Sequence, residues 1–302
     1  MRDVRRAAVI GLGSMGWGAA LSLLRSGFAV SGCDVRADVL ERFAQAGGRA
    51  CATPAAAAEA ADVVFVYVVN SKQVEEVLFG SNGAIEGARP ATVFLLCATM
   101  APSASIAIAE KLEAAGMLVI DAPVSGGHQR ALSGEITVMA SGSDEAFSRA
   151  SAALDAVSAK VFRLGDHVGP GSQIKMINQL LAGVHIAATA EAMTLAAKNG
   201  IDLKTLYDVL RVSAGSSWMF ENRGEHIVTG DYTPRSAVNI FVKDLGIVTS
   251  EAQKAGAVAP LATAAMQLFL EAAEEGLGLE DDAAVAKVLA RKSGAVLPGM
   301  EG

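Results

Sequence analysis

The sequence predicts an α/β fold: a doubly wound parallel sheet first, then an all-α region. Short, continuously apolar runs alternate with helical stretches up to about residue 165, as strands buried on both faces require. Glycine-rich turns follow several of these runs, foremost Gly11-Leu12-Gly13-Ser14-Met15-Gly16. Beyond the break Gly169-Pro170-Gly171 no convincing strand pattern returns, and long helical stretches take over.

In chain order the strand runs are Ala7–Ile10, Ala29–Cys33, Val63–Val69, Val93–Cys97, Leu118–Ile120, Ile136–Ala140 and Val161–Phe162. Gly27 stops the first helix, Pro102 opens another at its first turn, and Gly116 ends that one. The Ala-rich Ala55–Ala61 reads as a short helix. Further helices are predicted at Gln173–Lys198, Leu203–Val212, Ala237–Ala255, Pro260–Glu275 and Ala283–Lys292. Gln173–Lys198 has few charges and apolar residues on nearly every face, so it is expected to be buried between domains or subunits, implying a homo-oligomer, dimer or tetramer. At 302 residues the chain outgrows one hydrophobic core, and two domains are expected, residues 1–166 and 167–302.

Composition narrows the function. A net charge of -7 without any Lys/Arg-dense stretch argues against a nucleic-acid partner. Cys33, Cys51 and Cys97 are odd in number and scattered, so neither a disulfide framework nor a metal site is expected; they read as small buried residues in a reducing cytoplasm. Arg2, Arg5 and Arg6 precede an apolar stretch as in a signal peptide, but Gly11, Gly13 and Gly16 interrupt it and no cleavage site follows. No run approaches the roughly 18 apolar residues of a membrane span, so a soluble protein is expected.

The chemistry starts at the first glycine turn. Gly11 permits the tight turn, Gly13 lets the backbone approach a pyrophosphate, and Gly16 lets helix and strand pack closely. Asp34 follows the second strand, where an acid accepts hydrogen bonds from the adenosine ribose, and its charge disfavours a 2′-phosphate, pointing to NAD. Arg36 softens that preference. The alternative is a glycine-rich turn beside a solvated Asp. Strand, turn, helix and acid together make a Rossmann-type unit.

Val68, Val69 and Thr99 end strands on the ligand-binding edge of such a sheet. Thr99 is equally well read as a helix cap before Pro102. In Asp121-Ala122-Pro123-Val124-Ser125-Gly126-Gly127, backbone N–H groups and the Ser125 hydroxyl suit a substrate carboxylate; an ordinary turn is the alternative. Lys175, Asn178, Ala182 and His185 share one helix face. Apolar flanks would partly bury Lys175 and bring its amine toward the working pH, letting it exchange a proton with a hydroxyl. Lys243, in Phe241-Val242-Lys243-Asp244-Leu245, is a second lysine in an apolar setting, open to an ion pair with Asp244.

In order and spacing these motifs resemble the beta-hydroxyacid dehydrogenase family, which includes 3-hydroxyisobutyrate and tartronate semialdehyde enzymes. The resemblance covers nearly the whole chain: Gly11 to Gly16, Thr99 with Pro102, Asp121 to Gly127, Gly171 with Lys175 and Asn178, and Lys243-Asp244-Leu245. It implies a Rossmann domain followed by a helical domain for substrate binding and assembly, and an NAD-dependent hydroxyacid dehydrogenase. It further implies Lys175 as catalytic residue, Ser125, Gly126, Gly127 and Asn178 around the substrate, and Thr99 and Lys243 on the cofactor. Gln179 stands where many members have a second Asn, and Val69-Asn70 replaces a common Leu-Pro. Asn178 to His185, Ser217 to Arg223 and Ser236 to Phe241 look most like the L-threonate dehydrogenase branch.

The expected reaction is therefore L-threonate to its 2-oxo acid, 2-dehydro-erythronate, with tartronate semialdehyde reductase or 3-hydroxyisobutyrate dehydrogenase as alternatives. Ser217, Asn222 and Arg223 offer donors to a polyhydroxylated acid, or else form a capped helix end with Trp218 and Phe220 in a core. A dinucleotide-sensing protein without chemistry is the rival outside enzymology, opposed by the presence of Lys175 and Asn178.

Overall fold

Alternation of side chains across buried strands shapes the first half of the chain. The structure, a computed structural model, describes residues 6–300; Arg2 and Arg5 of the N-terminal reading lie outside them. Its strands are β1 Arg6–Ile10, β2 Ala29–Cys33, β3 Arg49–Ala50, β4 Val63–Val66, β5 Val93–Leu96, β6 Leu118–Asp121, β7 Val124–Ser125, β8 Ile136–Gly142 and β9 Ser158–Arg163. Among them lie α1 Ser14–Arg25, α2 Ala37–Gln45, α3 Pro54–Ala58, α4 Ser71–Phe79, α5 Ala84–Gly87, α6 Pro102–Ala114, α7 Gly127–Ser133 and α8 Asp144–Val157.

Helices cover both faces of the sheet, so its central strands are apolar throughout. Successive residues sort to opposite sides: Val63, Phe65, Val93 and Leu95 join one apolar cluster, and Val64, Val66, Phe94 and Leu96 another. Each such side chain is withdrawn from water, which stabilises by about 1.5–3 kcal/mol apiece.

The strand order is β3-β2-β1-β4-β5-β6-β8-β7, with β9 added on β8. From β3 to β6 all neighbours are parallel, Ile10 standing between Cys33 and Val66. β8 pairs antiparallel with β6 and β7 and parallel with β9. The order reverses between β1 and β4, which opens a crevice outside the carboxyl ends of the strands, where such sheets bind ligands.

Some boundaries differ from expectation. β3 and β7 have two residues each, too short for a pattern to show. The run Val63–Val69 leaves the sheet after Val66, because Asn70 already caps α4, its side chain accepting from the Gln73 N–H at 2.9 Å. Ser125, read as part of a turn, lies in β7 opposite Thr137.

The second half carries α9 Pro170–Lys198, α10 Leu203–Leu210, α11 Trp218–Thr229, α12 Val238–Lys254, α13 Pro260–Ala272 and α14 Val285–Ser293. Helix α11 is expected only as a capped helix end at Ser217, the alternative to ligand contact, because polar residues occupy positions that face inward: Arg223 and His226 are buried with Phe220 and Ile227. The apolar period was masked at the place where ion pairs replace it.

The 29-residue α9 has a mean hydropathy of 1.5 over an 18-residue window, so by length and composition alone it does reach the requirement for a bilayer span, contrary to the sequence reading. Ala182, Ile186, Ala190 and Met193 lie in the apolar core with Phe241, Leu245 and Phe269, which makes it a core helix. It is not covered on every side, since Ile177 and Leu181 are exposed. The contacts divide the chain into two compact units meeting between Lys175 and Met176.

Candidate active site

The three motif glycines of the first turn have different reasons. Gly11 has φ +89°, and a Cβ there would stand 2.4 Å from the Tyr67 carbonyl oxygen. A Cβ on Gly16 would stand 1.9 Å from the Gly11 carbonyl. Both are demanded by the protein's own backbone. Gly13, which caps α1, has nothing within 4 Å of the place a Cβ would take, and it brings no side-chain cap of its own to the helix end. Open space before N–H groups of a helix N-terminus fits an approaching pyrophosphate. Leu12 is buried beneath the loop, and Ser14 and Met15 begin α1.

Asp34 is fastened to this loop. Its Oδ2 accepts from the Leu12 N–H at 2.7 Å, and its two oxygens take the Arg36 guanidinium at 2.9 and 3.0 Å and the Arg36 N–H at 3.0 Å. Burial raises the pKa of its carboxyl, but the hydrogen bonds from Arg36 and Leu12 outweigh it and hold Asp34 below the ordinary carboxylate range. The side chain is therefore a fixed negative charge with a cation laid along it.

The hydrogen-bond ladder continues past the last residue of each parallel strand. Gly11 N–H donates to the Cys33 carbonyl at 2.8 Å, Tyr67 to Ile10 at 2.8 Å, Cys97 to Val66 at 3.1 Å and Ala122 to Leu96 at 2.9 Å. The glycine turn and the segments that follow β4, β5 and β6 are thus neighbours along one edge. Val68, Val69 and Thr99 lie on these segments, with Val69 exposed and its N–H given to Gln73 at 2.8 Å. Thr99 is not a cap: α6 starts after Ala101 without a side-chain hydrogen bond.

Ser125 ends β7, Gly126 follows with φ +132°, and Gly127, with φ +71°, opens α7. His128 binds the Ser14 carbonyl at 3.2 Å, which sets this segment against the start of α1. The three cysteines are buried, and burial pushes Cys33 up to about 11 and Cys97 up to about 12, so neither of those two is a ready nucleophile.

The first turn of α9 docks on the same edge. Asp121, at the end of β6 and fully buried, accepts from Ser172 N–H and Oγ, each at 2.7 Å, and from Gly169 N–H at 3.2 Å. Ser141 Oγ takes the Gly171 N–H at 3.0 Å, and Ser105 Oγ meets Ser172 Oγ at 2.8 Å. A carboxylate at a helix N-terminus also matches the helix dipole. Lys175 follows Ser172 by one turn and is 8% exposed, far from the usual state of a helix lysine.

The second unit joins Asn178 and Lys243. Asn178 Nδ2 donates to Gln179 Oε1 at 3.0 Å, Gln179 Nε2 donates to Asp244 Oδ2, and Lys243 Nζ pairs with Asp244 Oδ1 at 2.6 Å. Close packing of α9 on α12 allows this, since Gly183 leaves room for Leu245, whose methyls would stand 2.9 Å from an added Cβ. The sequence offered Gln179 only as a departure and Asp244 only as a motif neighbour; a buried acid beside two amides is the pattern that could have marked them.

Ser217, Asn222 and Arg223 have partners within the unit. Ser217 Oγ caps α11 by accepting from Phe220 N–H at 3.0 Å, and Arg223 pairs with buried Asp282, with Asn222 Oδ1 on the same guanidinium. Phe220 is in the core, whereas Trp218 is exposed. Among the described residues no group of three or more His, Cys, Asp or Glu is placed to hold a metal ion.

Comparison with known proteins finds relatives along nearly the whole chain. Residues 6–165 match the profile of the NAD binding domain of 6-phosphogluconate dehydrogenase. Residues 169–289 match the profile described as the NAD-binding region of NADP-dependent 3-hydroxyisobutyrate dehydrogenase. The L-threonate dehydrogenase of Cupriavidus necator is 53% identical over 98% of each chain. That of Escherichia coli K12 is 49% identical over 96% of each. A crystal structure described as 3-hydroxyisobutyrate dehydrogenase from Salmonella typhimurium superposes with a TM-score of 0.90 at 47% identity, covering 94% of this chain and 99% of that one.

Proposed function

This chain belongs to the 3-hydroxyisobutyrate dehydrogenase-like family of NAD(P)-dependent hydroxyacid dehydrogenases, and from that premise we propose that it oxidises L-threonate to the 2-oxo acid with NAD. The observation that carries the mechanism is the burial of Lys175 one turn after the Asp121-anchored start of α9. The observation that selects the acid is the identity to L-threonate dehydrogenases along nearly the whole chain.

In this reading Ser125, Gly126 and Gly127 hold the acid's carboxylate, and Asn178 orients the acid against Lys175. The O–H bond breaks toward Lys175 Nζ, which takes the proton. Bound NAD supplies the acceptor for the C2 hydride. Gly11 to Gly16, Val68, Val69, Thr99 and Lys243 hold the dinucleotide, and Asp34 receives its ribose hydroxyls. The negative charge of Asp34 supports NAD over NADP. We assign the dinucleotide to residues 1–166 and substrate binding and assembly to 167–302, in a cytoplasmic homo-oligomer. The free buried cysteines support a reducing compartment, and exposed Ile177 and Leu181 support assembly.

A steady-state panel of L-threonate, 3-hydroxyisobutyrate and, in reverse, tartronate semialdehyde, each with NAD and NADP, tests the assignment. The highest kcat/KM is expected for L-threonate with NAD, and Lys175→Met is expected to lower kcat by about 10²–10⁴. Full turnover by Lys175→Met would remove the lysine's role. NADH binding without turnover of any acid would replace the enzyme by a dinucleotide sensor.

A further inference from the structure

We infer that Asp244 is a positioning residue, which through Gln179 sets the direction in which the Asn178 carboxamide faces. The inference rests on the proposed placement of Asn178 at the acid.

The argument is one of donors and acceptors. Asp244 is 2% exposed, and an ionised carboxylate can only accept. It therefore draws the Nε2 end of Gln179, which donates to Oδ2. The carbonyl end of Gln179 is then turned to Asn178, where it can only accept, and it takes Nδ2 at 3.0 Å. Each amide has two unlike ends, so fixing the first fixes the second. Asn178 is left to present its Oδ1, an acceptor, to a donor such as a second hydroxyl of the bound acid, whose C2 hydroxyl gives its one hydrogen to Lys175. The other oxygen of the same carboxylate holds Lys243 Nζ at 2.6 Å. One buried charge thus orients the amide on the acid side and the lysine on the dinucleotide side. A residue without a fixed polarity at 244 would let both amides turn over, offering a donor where the substrate also brings one.

Gln179 is suited to this place by its length: it reaches from α9 to the acid on α12 while its carbonyl still meets its neighbour on α9. An Asn there would be one methylene shorter.

Three variants test the inference: Gln179→Met, Gln179→Glu and Asp244→Asn. Kinetics with L-threonate are read beside NADH affinity, measured by quenching and nicotinamide fluorescence. Gln179→Met, which keeps the bulk and loses the bonds to Asp244 and Asn178, is expected to lower kcat/KM for the acid about tenfold while NADH affinity stays within about twofold. Asp244→Asn, which also releases Lys243, is expected to weaken both the acid and NADH. Gln179→Glu sets a carboxylate against Asp244 and can donate only when protonated. Its kcat is expected to recover as pH falls, in a range where the wild type does not gain, a response that loss of packing would not give.

Wild-type kcat and KM in Gln179→Met would overturn the inference, as would an equal loss of NADH affinity in all three variants with the acid's KM unchanged. A wild-type protein inert towards every acid instead sinks the proposed function, and the acid arm of the inference with it. The NADH contrast between Asp244→Asn and Gln179→Met still decides the Lys243 arm.

Discussion

Asp121 receives both the backbone N–H and the hydroxyl of Ser172, each at 2.7 Å, in a place closed to solvent. This ties the end of β6 to the first turn of α9. Replacing Asp121 by Leu leaves the Ser172 and Gly169 N–H groups without an acceptor. Loss of about 3 kcal/mol of stability is expected, since buried donors would lose a charged partner. Urea unfolding measures it, and activity is expected to fall further than stability because Lys175 stands one turn beyond the anchor.

The glycines of the first turn separate folding from binding. Gly13→Ala puts a methyl into space where nothing lies within 4 Å, so the melting temperature should be kept. If a pyrophosphate approaches there, NADH affinity falls about tenfold or more, some 1.4 kcal/mol. Gly16→Ala overlaps the Gly11 carbonyl at 1.9 Å and should instead lower the melting temperature. Thermal melts and NADH titrations of both variants give the contrast; equal behaviour would remove the distinction.

Asp34 makes stability depend on pH in a stated direction. Its folded pKa lies below 3.8, so its contribution is fully present above that value and is lost as pH falls through the folded pKa. Asp121 runs the other way: burial outweighs the Ser172 and Gly169 hydrogen bonds and leaves its folded pKa above 3.8, so its contribution declines as pH rises through that window. The unfolding free energy of Asp34→Asn, followed against pH, is expected to approach that of the wild type as acid is added.

Arg36 lies along Asp34 with its guanidinium exposed by half. Arg36→Ala leaves the acid without its cation, so NADPH, with an added phosphate, should lose several-fold more affinity than NADH. Parallel titrations with the two nucleotides read this. Equal losses would mean that Arg36 does not tune the choice.

Arg223 is the partner of fully buried Asp282, whose carboxyl burial pushes up and the guanidinium pulls back only in part. Arg223→Leu strands that acid, and a loss of about 3–5 kcal/mol is expected. The double variant Arg223→Leu with Asp282→Leu should recover much of it in a chemical-denaturation cycle.

Much of the fold was legible because it is written in local patterns. β2 is where its apolar run ends, and Gly27, Pro102 and Gly116 punctuate the helices as their backbone conformations require. Gly11 and Gly16 were legible for the same reason, since a positive φ or a close approach excludes other residues. Helix α11 was legible only at its Ser217 cap, because its inward face carries Arg223 and His226, whose partners Asp282 and Asp281 lie far along the chain. Thr99 was ambiguous until α6 was found to begin without its help.

The amino-acid order alone determined a parallel sheet with a dinucleotide turn, a helical second half and a lysine among apolar neighbours, because hydrophobic period and glycine placement act over a few residues. Only the tertiary structure decided that Asp121 fastens α9 and that Asp244 polarises Gln179 and Asn178. The bonds of Asp121 to Ser172 and of Gln179 to Asp244 join residues dozens of positions apart, and a side chain's partner is fixed by where the folded backbone brings it.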